Sequence, residues 1–292
     1  MNAFLKRLLL FTLILIGYLG VNYLINTTIV SFQKSDLKIT NIIIAGDSHP
    51  QKSLNPKMFD SAISITQTAE PYVSTFWKLK YLLQDIQIDT LILGFSHHNL
   101  SAFNDLKFTN KTWSTEMYNR TYLTENFKLL NSKLYDINEF YKTYFKNMCI
   151  YPNTKHFKFI GGYENFNLNK IEDYNKAIKR HYFINEQPAG ISETAIAYLD
   201  SIANYCNYNK IELILISSPV HQEYSKRVPE YIVDRYEKEK ERLKKQHIQI
   251  LDFTNAKYKD VYFLNSDHLN AEGSLKFTTQ LIKILKENKT IQ

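Results

Sequence analysis

Asn41-Ile42-Ile43-Ile44-Ala45-Gly46-Asp47-Ser48-His49-Pro50 decides how the rest of the chain is read. The apolar run from Ile42 to Ala45 has the character of a buried strand, and Gly46-Asp47-Ser48 turns the chain at its carboxyl end. Near-continuous apolar strands of this kind belong to parallel sheets covered on both faces. In such open sheets ligands bind beyond the carboxyl ends of the strands, which puts Ser48 on the rim of a functional cleft. Gly46 gives the backbone the freedom to turn tightly enough to present that hydroxyl.

The same rhythm continues outward. Residues 39–45, 62–65, 89–94, 211–216 and 248–253 read as five strands. Residues 53–60, 74–87, 192–209 and 229–246 read as helices, followed by a last helix capped by Asn270. Phe76, Leu79, Leu82, Leu83 and Ile86 recur at helical spacing, as do Leu275, Thr278, Leu281, Ile282 and Leu285. Strand and helix in alternation predict an α/β fold with a doubly wound parallel five-stranded sheet. Residues 101–190 break the alternation. They are dense in Tyr, Phe, Asn and Lys, with helical stretches near 124–146 and 170–183, and are expected to form a helical cap over the cleft. An aromatic, polar cap suits sugars, whose faces stack on rings, although most such rings serve an insertion's own core.

The chain has 292 residues with 44% hydrophobic and 14% aromatic content, enough for a sizeable core. Its formal charge is +7, but Lys and Arg are scattered. No block of like charge marks a nucleic-acid partner. Cys149 and Cys206 are the two cysteines and lie outside any metal-ligand spacing, either as a pair in an oxidising compartment or as buried thiols.

Lys6 and Arg7 precede an uncharged stretch that lasts until Lys34. Its most apolar eighteen residues, from position 8, span about 27 Å as a helix, enough to cross a bilayer core. The basic flank holds the N-terminus in the cytoplasm and sends the remainder across. A cleaved signal peptide is the alternative, but no small-x-small cleavage pattern follows the run. The expected layout is therefore a transmembrane anchor at 1–30, a linker at 31–38 and an extracytoplasmic domain at 39–292.

At the far end stands Asn265-Ser266-Asp267-His268-Leu269-Asn270, a loop ahead of the final helix. A serine hydroxyl is a poor nucleophile until a base takes its proton, and imidazole suits that task near neutral pH. Ser48 and His268 thus form a candidate nucleophile–base pair for attack on an ester carbonyl. The acceptor that would orient the imidazole is open among Asn265, Asp267 and, more weakly, Asp252.

The pairing of an early Gly-Asp-Ser serine with a late histidine resembles the SGNH (GDSL-type) hydrolase superfamily, and most closely its membrane-anchored branch typified by DltD and alginate-acetylation proteins. The likeness covers residues 38–288, with distinctive motifs only at the two ends. It implies an Asp three residues before the histidine, where this chain has Asn265. It also implies oxyanion donors from the Ser48 N–H, a Gly after the second strand and an Asn after the third. Residues 66–70 contain no Gly, and the third strand is followed by Gly94-Phe95-Ser96-His97-His98-Asn99, so Asn99 with the Gly94 N–H are the nearest candidates.

His49, His97 and His98 could gather with His268 at one sheet edge. Without a ligand-spacing motif they are read as polar lining, His49 or His97 contacting substrate, and no metal or cofactor is expected. His221 is expected to border the cleft, while His156, His181 and His247 carry no assigned role. The resemblance implies an acyl esterase or acyltransferase acting on acetyl or other acyl esters of envelope or lipid-linked glycans, beside a membrane-bound O-acyltransferase. A catalytically silent protein that binds acylated glycan or scaffolds such a transferase is the competing expectation.

Overall fold

A computed structural model of the chain describes residues 2–35, 37, 40–84, 86–120, 134–153, 159–169 and 174–290. In chain order the elements are α1 (Asn2–Ser35), β1 (Ile42–Ala45), α2 (Ser48–Ser53), β2 (Ala62–Ser64), α3 (Tyr72–Leu82), β3 (Thr90–Gly94), α4 (Ser114–Tyr118) and α5 (Ile137–Phe145). They continue with α6 (Tyr174–Tyr182), β4 (Phe183–Ile184), β5 (Gln187–Pro188), α7 (Glu193–Tyr208), β6 (Glu212–Ser217), α8 (Gln222–Ser225), α9 (Glu230–Lys244), β7 (Gln249–Asp252) and α10 (Ala271–Thr290). Two compact units result. One comprises Met1–Lys38 and Lys107–Ile160, the other Ile39–Leu106 and Gly161–Gln292.

The second unit holds a five-stranded sheet in the order β2-β1-β3-β6-β7, every pair parallel. This is the α/β, doubly wound arrangement that the apolar runs predict. Ile44, Ile92, Ile214 and Ile216 pack on one face with Leu54, the residue that ends α2, and with Phe277 and Leu281 of α10. The alternate residues Ile43, Leu91, Leu93 and Leu215 are fully buried as well. Burial of both parities is the reason these strands read as continuous apolar runs rather than alternating ones. The strand order reverses at β1, so the carboxyl ends of β1 and β3 diverge and open a crevice between their loops.

Several boundaries differ from the sequence reading. α1 continues to Ser35, so most of the stretch expected as a linker at 31–38 is helical. The helix expected at 53–60 instead begins at Ser48 itself and is followed by a 3-10 turn at Pro56–Met58. Leu275 faces outward, whereas Phe277, Thr278 and Leu281 form the buried side of α10. Asn270 caps that helix through the Gly273 N–H at 2.9 Å. Both cysteines are free thiols. Residue 39 of the first expected strand, 124–133 and 170–173 of the expected cap helices, and His156 lie outside the described residues.

In the first unit, α1 is long and apolar enough to cross a membrane by length and composition. Its later turns pack against the π-helical turn Lys146–Ile150 that extends α5. From the stretch expected as a cap, residues 107–160 belong to this unit and residues 161–190, including α6, to the sheet unit.

Candidate active site

The site is assembled at the crevice where β1 and β3 part. Gly46 leaves β1 with φ +120°, and a Cβ there would come within 3.1 Å of Pro50 and 3.2 Å of the Gly94 nitrogen. A Cβ on Gly94 would lie 2.8 Å from the same proline ring. The two glycines therefore let β1, β3 and the start of α2 close up, and Gly94 has a packing role in this contact. Asp47 caps α2 by accepting the His49 N–H at 2.9 Å. Ser48 is thus the first residue of the helix, its own N–H among the first-turn amides that have no intrahelical acceptor.

His268 comes from the loop between β7 and α10, held as a tight reversal by the Phe263–Leu269 bridge and by the Leu264 N–H donating to the His268 carbonyl at 2.9 Å. Its Nε2 lies 2.8 Å from Ser48 Oγ across 220 residues of sequence. Its Nδ1 lies 3.0 Å from Asn265 Oδ1. That same oxygen accepts the backbone N–H of His268 at 2.9 Å and of Asp267 at 3.3 Å, which fixes it as oxygen rather than nitrogen. An acceptor at Nδ1 means that Nδ1 carries the proton and Nε2 presents its lone pair to the serine. Of the three residues open as orienters, Asn265 makes the bond. Asp252 does not, since its carboxylate takes the Lys240 ammonium at 2.8 Å and the Thr254 hydroxyl.

Asp267 is fully buried beside this pair, with Oδ1 3.5 Å from His268 Nδ1. Its other oxygen faces His49 Nε2 and His181 Nε2, each at 3.7 Å, and the Arg180 guanidinium at 3.5 Å. Burial favours the neutral acid, but His268, His49 and His181 around it hold the carboxyl well below its usual range. Burial pushes the His268 imidazole down to about 3 against the pull of Asp267, so the resting base is neutral. His181 is likewise lowered by burial. Orientation and charge, which a single carboxylate supplies in a Ser-His-Asp triad, are here divided between Asn265 and Asp267.

Asp47 forms a second centre. One of its oxygens lies 2.5 Å from His98 Nε2 and accepts from the Asn99 amide at 2.7 Å. Burial opposes ionisation, yet His98 and His49 outweigh it and keep this carboxyl far below the ordinary aspartate value. Asn99 also accepts the Ser96 N–H at 2.8 Å, so its side chain ties the β3 loop to the serine turn. His49, His98, His181 and His268 form a file of imidazoles, with centroids 5.0 Å apart for His268–His49, 4.0 Å for His49–His98 and 5.1 Å for His98–His181.

One placement differs from the sequence expectation. His97 turns away onto the Tyr236 ring at 4.3 Å, lowered to about 4 by burial, and His98 takes the position at the site. His221 caps α8 and faces Asp260 at 3.2 Å and Tyr174 at 3.4 Å. Sequence reasoning missed Asp47, Arg180 and His181; the last two lie in the stretch read as a cap. The aspartate beside Ser48 was visible, but nothing local reveals that a carboxylate will meet a loop 51 residues away.

Donor atoms of His49, Asp267 and His268 lie within 4.8 Å of one another, the arrangement closest to a metal-ligand set among the described residues. Both ring nitrogens of His268 are already engaged, and Arg180 sets positive charge against the same carboxylate. The chemistry this arrangement suits is proton transfer between a serine and an imidazole.

No family model matches the chain, and no curated protein matches it. Similar solved structures include a proposed acylhydrolase from Bacteroides fragilis, at 11% identity and TM-score 0.45 over 89% of this chain and 94% of that one. A GDSL-like lipase from Bacteroides thetaiotaomicron matches at 11% identity and TM-score 0.43, over 85% and 88% of the two chains. A proposed platelet activating factor from Streptococcus pneumoniae matches at 14% identity and TM-score 0.42, over 98% and 100%.

Proposed function

We propose that this chain is a serine-dependent acyl esterase or O-acyltransferase of SGNH type, tethered to the membrane by α1 and acting on acyl, chiefly acetyl, esters of cell-envelope glycans. The carrying observation is the 2.8 Å contact between Ser48 Oγ and His268 Nε2, with Asn265 holding Nδ1 at the opposite side of the ring. Ser48 Oγ bonds to the carbonyl carbon as its proton passes to His268 Nε2. The tetrahedral oxyanion faces the Ser48 N–H and the amide hydrogen of Asn99 that is not given to Asp47. Collapse expels the alcohol, which takes the proton from His268, and leaves an acyl-serine. Water then completes hydrolysis, or a sugar hydroxyl completes transfer. While the imidazolium exists, Asp267 supplies the negative charge that Asn265 lacks.

Lys6 and Arg7 ahead of the apolar helix support a cytoplasmic N-terminus and an extracytoplasmic domain. That compartment would bring the site to envelope glycans and to a membrane-bound O-acyltransferase as donor. The full chain in detergent should hydrolyse p-nitrophenyl acetate, and Ser48→Ala should remove that activity. Equal rates for the two proteins would instead favour a non-catalytic cleft that binds acylated glycan, the reading to which Asn265 in place of a carboxylate gives weight.

A further inference from the structure

Within the apolar run of α1, Tyr18, Asn22 and Asn26 recur every fourth residue and so share one face of the helix. All three are engaged by the end of the α5 helix. The Tyr18 hydroxyl donates to the Ile150 carbonyl, and Asn22 Nδ2 donates to the same carbonyl at 3.2 Å. Asn26 Nδ2 donates to the carbonyls of Met148 and Tyr151, each at 3.0 Å, and Asn26 Oδ1 accepts the Asn153 N–H at 2.8 Å. The last carbonyls of a helix have no partner in the helix itself. Here α1 provides their partners, with Asn22 and Asn26 buried.

The depth of these contacts is informative. Measured from Arg7 at 1.5 Å per residue, Tyr18 lies about 16 Å, Asn22 about 22 Å and Asn26 about 28 Å along α1. A hydrocarbon core is about 30 Å thick, so all three fall in its far half. Carbonyls carried to that depth must be satisfied by protein, since lipid offers them nothing and each unsatisfied group costs several kcal/mol. The polar face of an otherwise apolar span meets that requirement. The outward side of the docked segment fits the same surroundings: Tyr141, Phe145, Ile150 and Tyr151 are 48%, 47%, 37% and 41% exposed. They extend the exposed apolar surface of α1, of whose most apolar window only 6% is buried. Lys142, which pairs with Glu139 at 3.3 Å, and Lys146 are exposed among them, and both are long enough to reach a headgroup phosphate.

We propose that residues 137–151 enter the leaflet opposite Arg7 beside α1, with Phe145, Ile150 and Tyr151 against acyl chains and the two lysines at the phosphates. The partner of this surface is the phospholipid bilayer, and the inference rests on the membrane-tethered reading of α1. It makes α1 a retained part of the folded first unit as well as a tether.

The test uses the full wild-type chain in vesicles of phosphatidylethanolamine and phosphatidylglycerol, irradiated with a membrane-confined diazirine and mapped by mass spectrometry. Carbene insertion across residues 141–151 should match that in α1, about tenfold above that in the charged stretch of α9, which lipid excludes. Labelling of α1 with none in 141–151 would overturn the inference and leave the anchor standing. No labelling of α1 would overturn the anchored reading itself. Labelling in vesicles that is lost from 141–151, but kept on α1, in native membranes would assign the surface to a protein partner and overturn the lipid assignment.

Discussion

Asp47 and Asp267 are both buried carboxylates set among histidines, yet they are held in different ways. Asp47 is gripped by short bonds, at 2.5 Å to His98, 2.7 Å from Asn99 and 2.9 Å from the His49 N–H. Asp267 accepts the neighbouring Ser266 hydroxyl at 3.2 Å, and its charged and imidazole neighbours His268, His49, His181 and Arg180 stand off at 3.5–3.7 Å. The first geometry fixes two loops in place at the point where the sheet order reverses. The second leaves a negative charge beside the base without fixing the ring, a task that falls to Asn265. Buried charge thus serves scaffolding in one case and, in the proposed reaction, transition-state electrostatics in the other.

Among the substitutions, the largest effect should follow from Asp47→Ala. It removes a helix cap and strands His98 and Asn99, and breaking a buried pair of this kind costs about 3–5 kcal/mol in chemical denaturation. An effect below about 1 kcal/mol would remove the scaffolding role.

Acid should act on at least the same scale, through histidines buried in the neutral form. His268 is held near 3, His97 near 4 and His181 well below the ordinary 6.5. As pH falls below 6.5 the unfolded chain takes up protons that the folded chain refuses, so stability drops by about 1.4 kcal/mol per pH unit for each such group. Asp47 and Asp267, whose pKa values are lowered, add their loss only below about 4. Denaturation midpoints measured from pH 7 to pH 4.5 should therefore decline steadily. A flat profile would mean that the imidazoles are solvated.

Asp267→Asn keeps shape and removes charge. It should lower kcat by about ten- to a hundredfold with KM little changed, because Asn265 still sets the tautomer, and should cost less stability than Asp47→Ala. A stability loss as large as that of Asp47→Ala would erase the distinction between the two centres. Smallest should be Asn265→Asp, which joins orientation and charge in one group. Raising the basicity of His268 by one unit corresponds to about tenfold, read as a higher kcat and an acid limb of the pH–rate profile moved upward.

How much of this was legible follows from what each residue reports locally. The strands were legible because Ile43 and Ile44, or Leu91 and Ile92, are buried on opposite faces and leave uninterrupted apolar runs. Ser48 and His268 were legible as candidates because each stands at the mouth of an element. The choice between His97 and His98 was not, since a 3-10 turn at His97–Leu100 replaces strand alternation just there. Arg180 and His181 reach Asp267 from α6, 87 and 86 residues away in sequence, and no local spacing encodes that meeting. Tyr18, Asn22 and Asn26 were visible in the apolar run, but their fourfold spacing has meaning only once the carbonyls of residues 148–151 are known to need donors.

One experiment reaches the pairing of residues 48 and 268 without a substrate being known. The full chain, treated with a fluorophosphonate and digested, should yield a single phosphonylated peptide with the adduct on Ser48, absent from His268→Ala. An unmodified Ser48, or equal modification in that variant, would contradict an imidazole-activated serine.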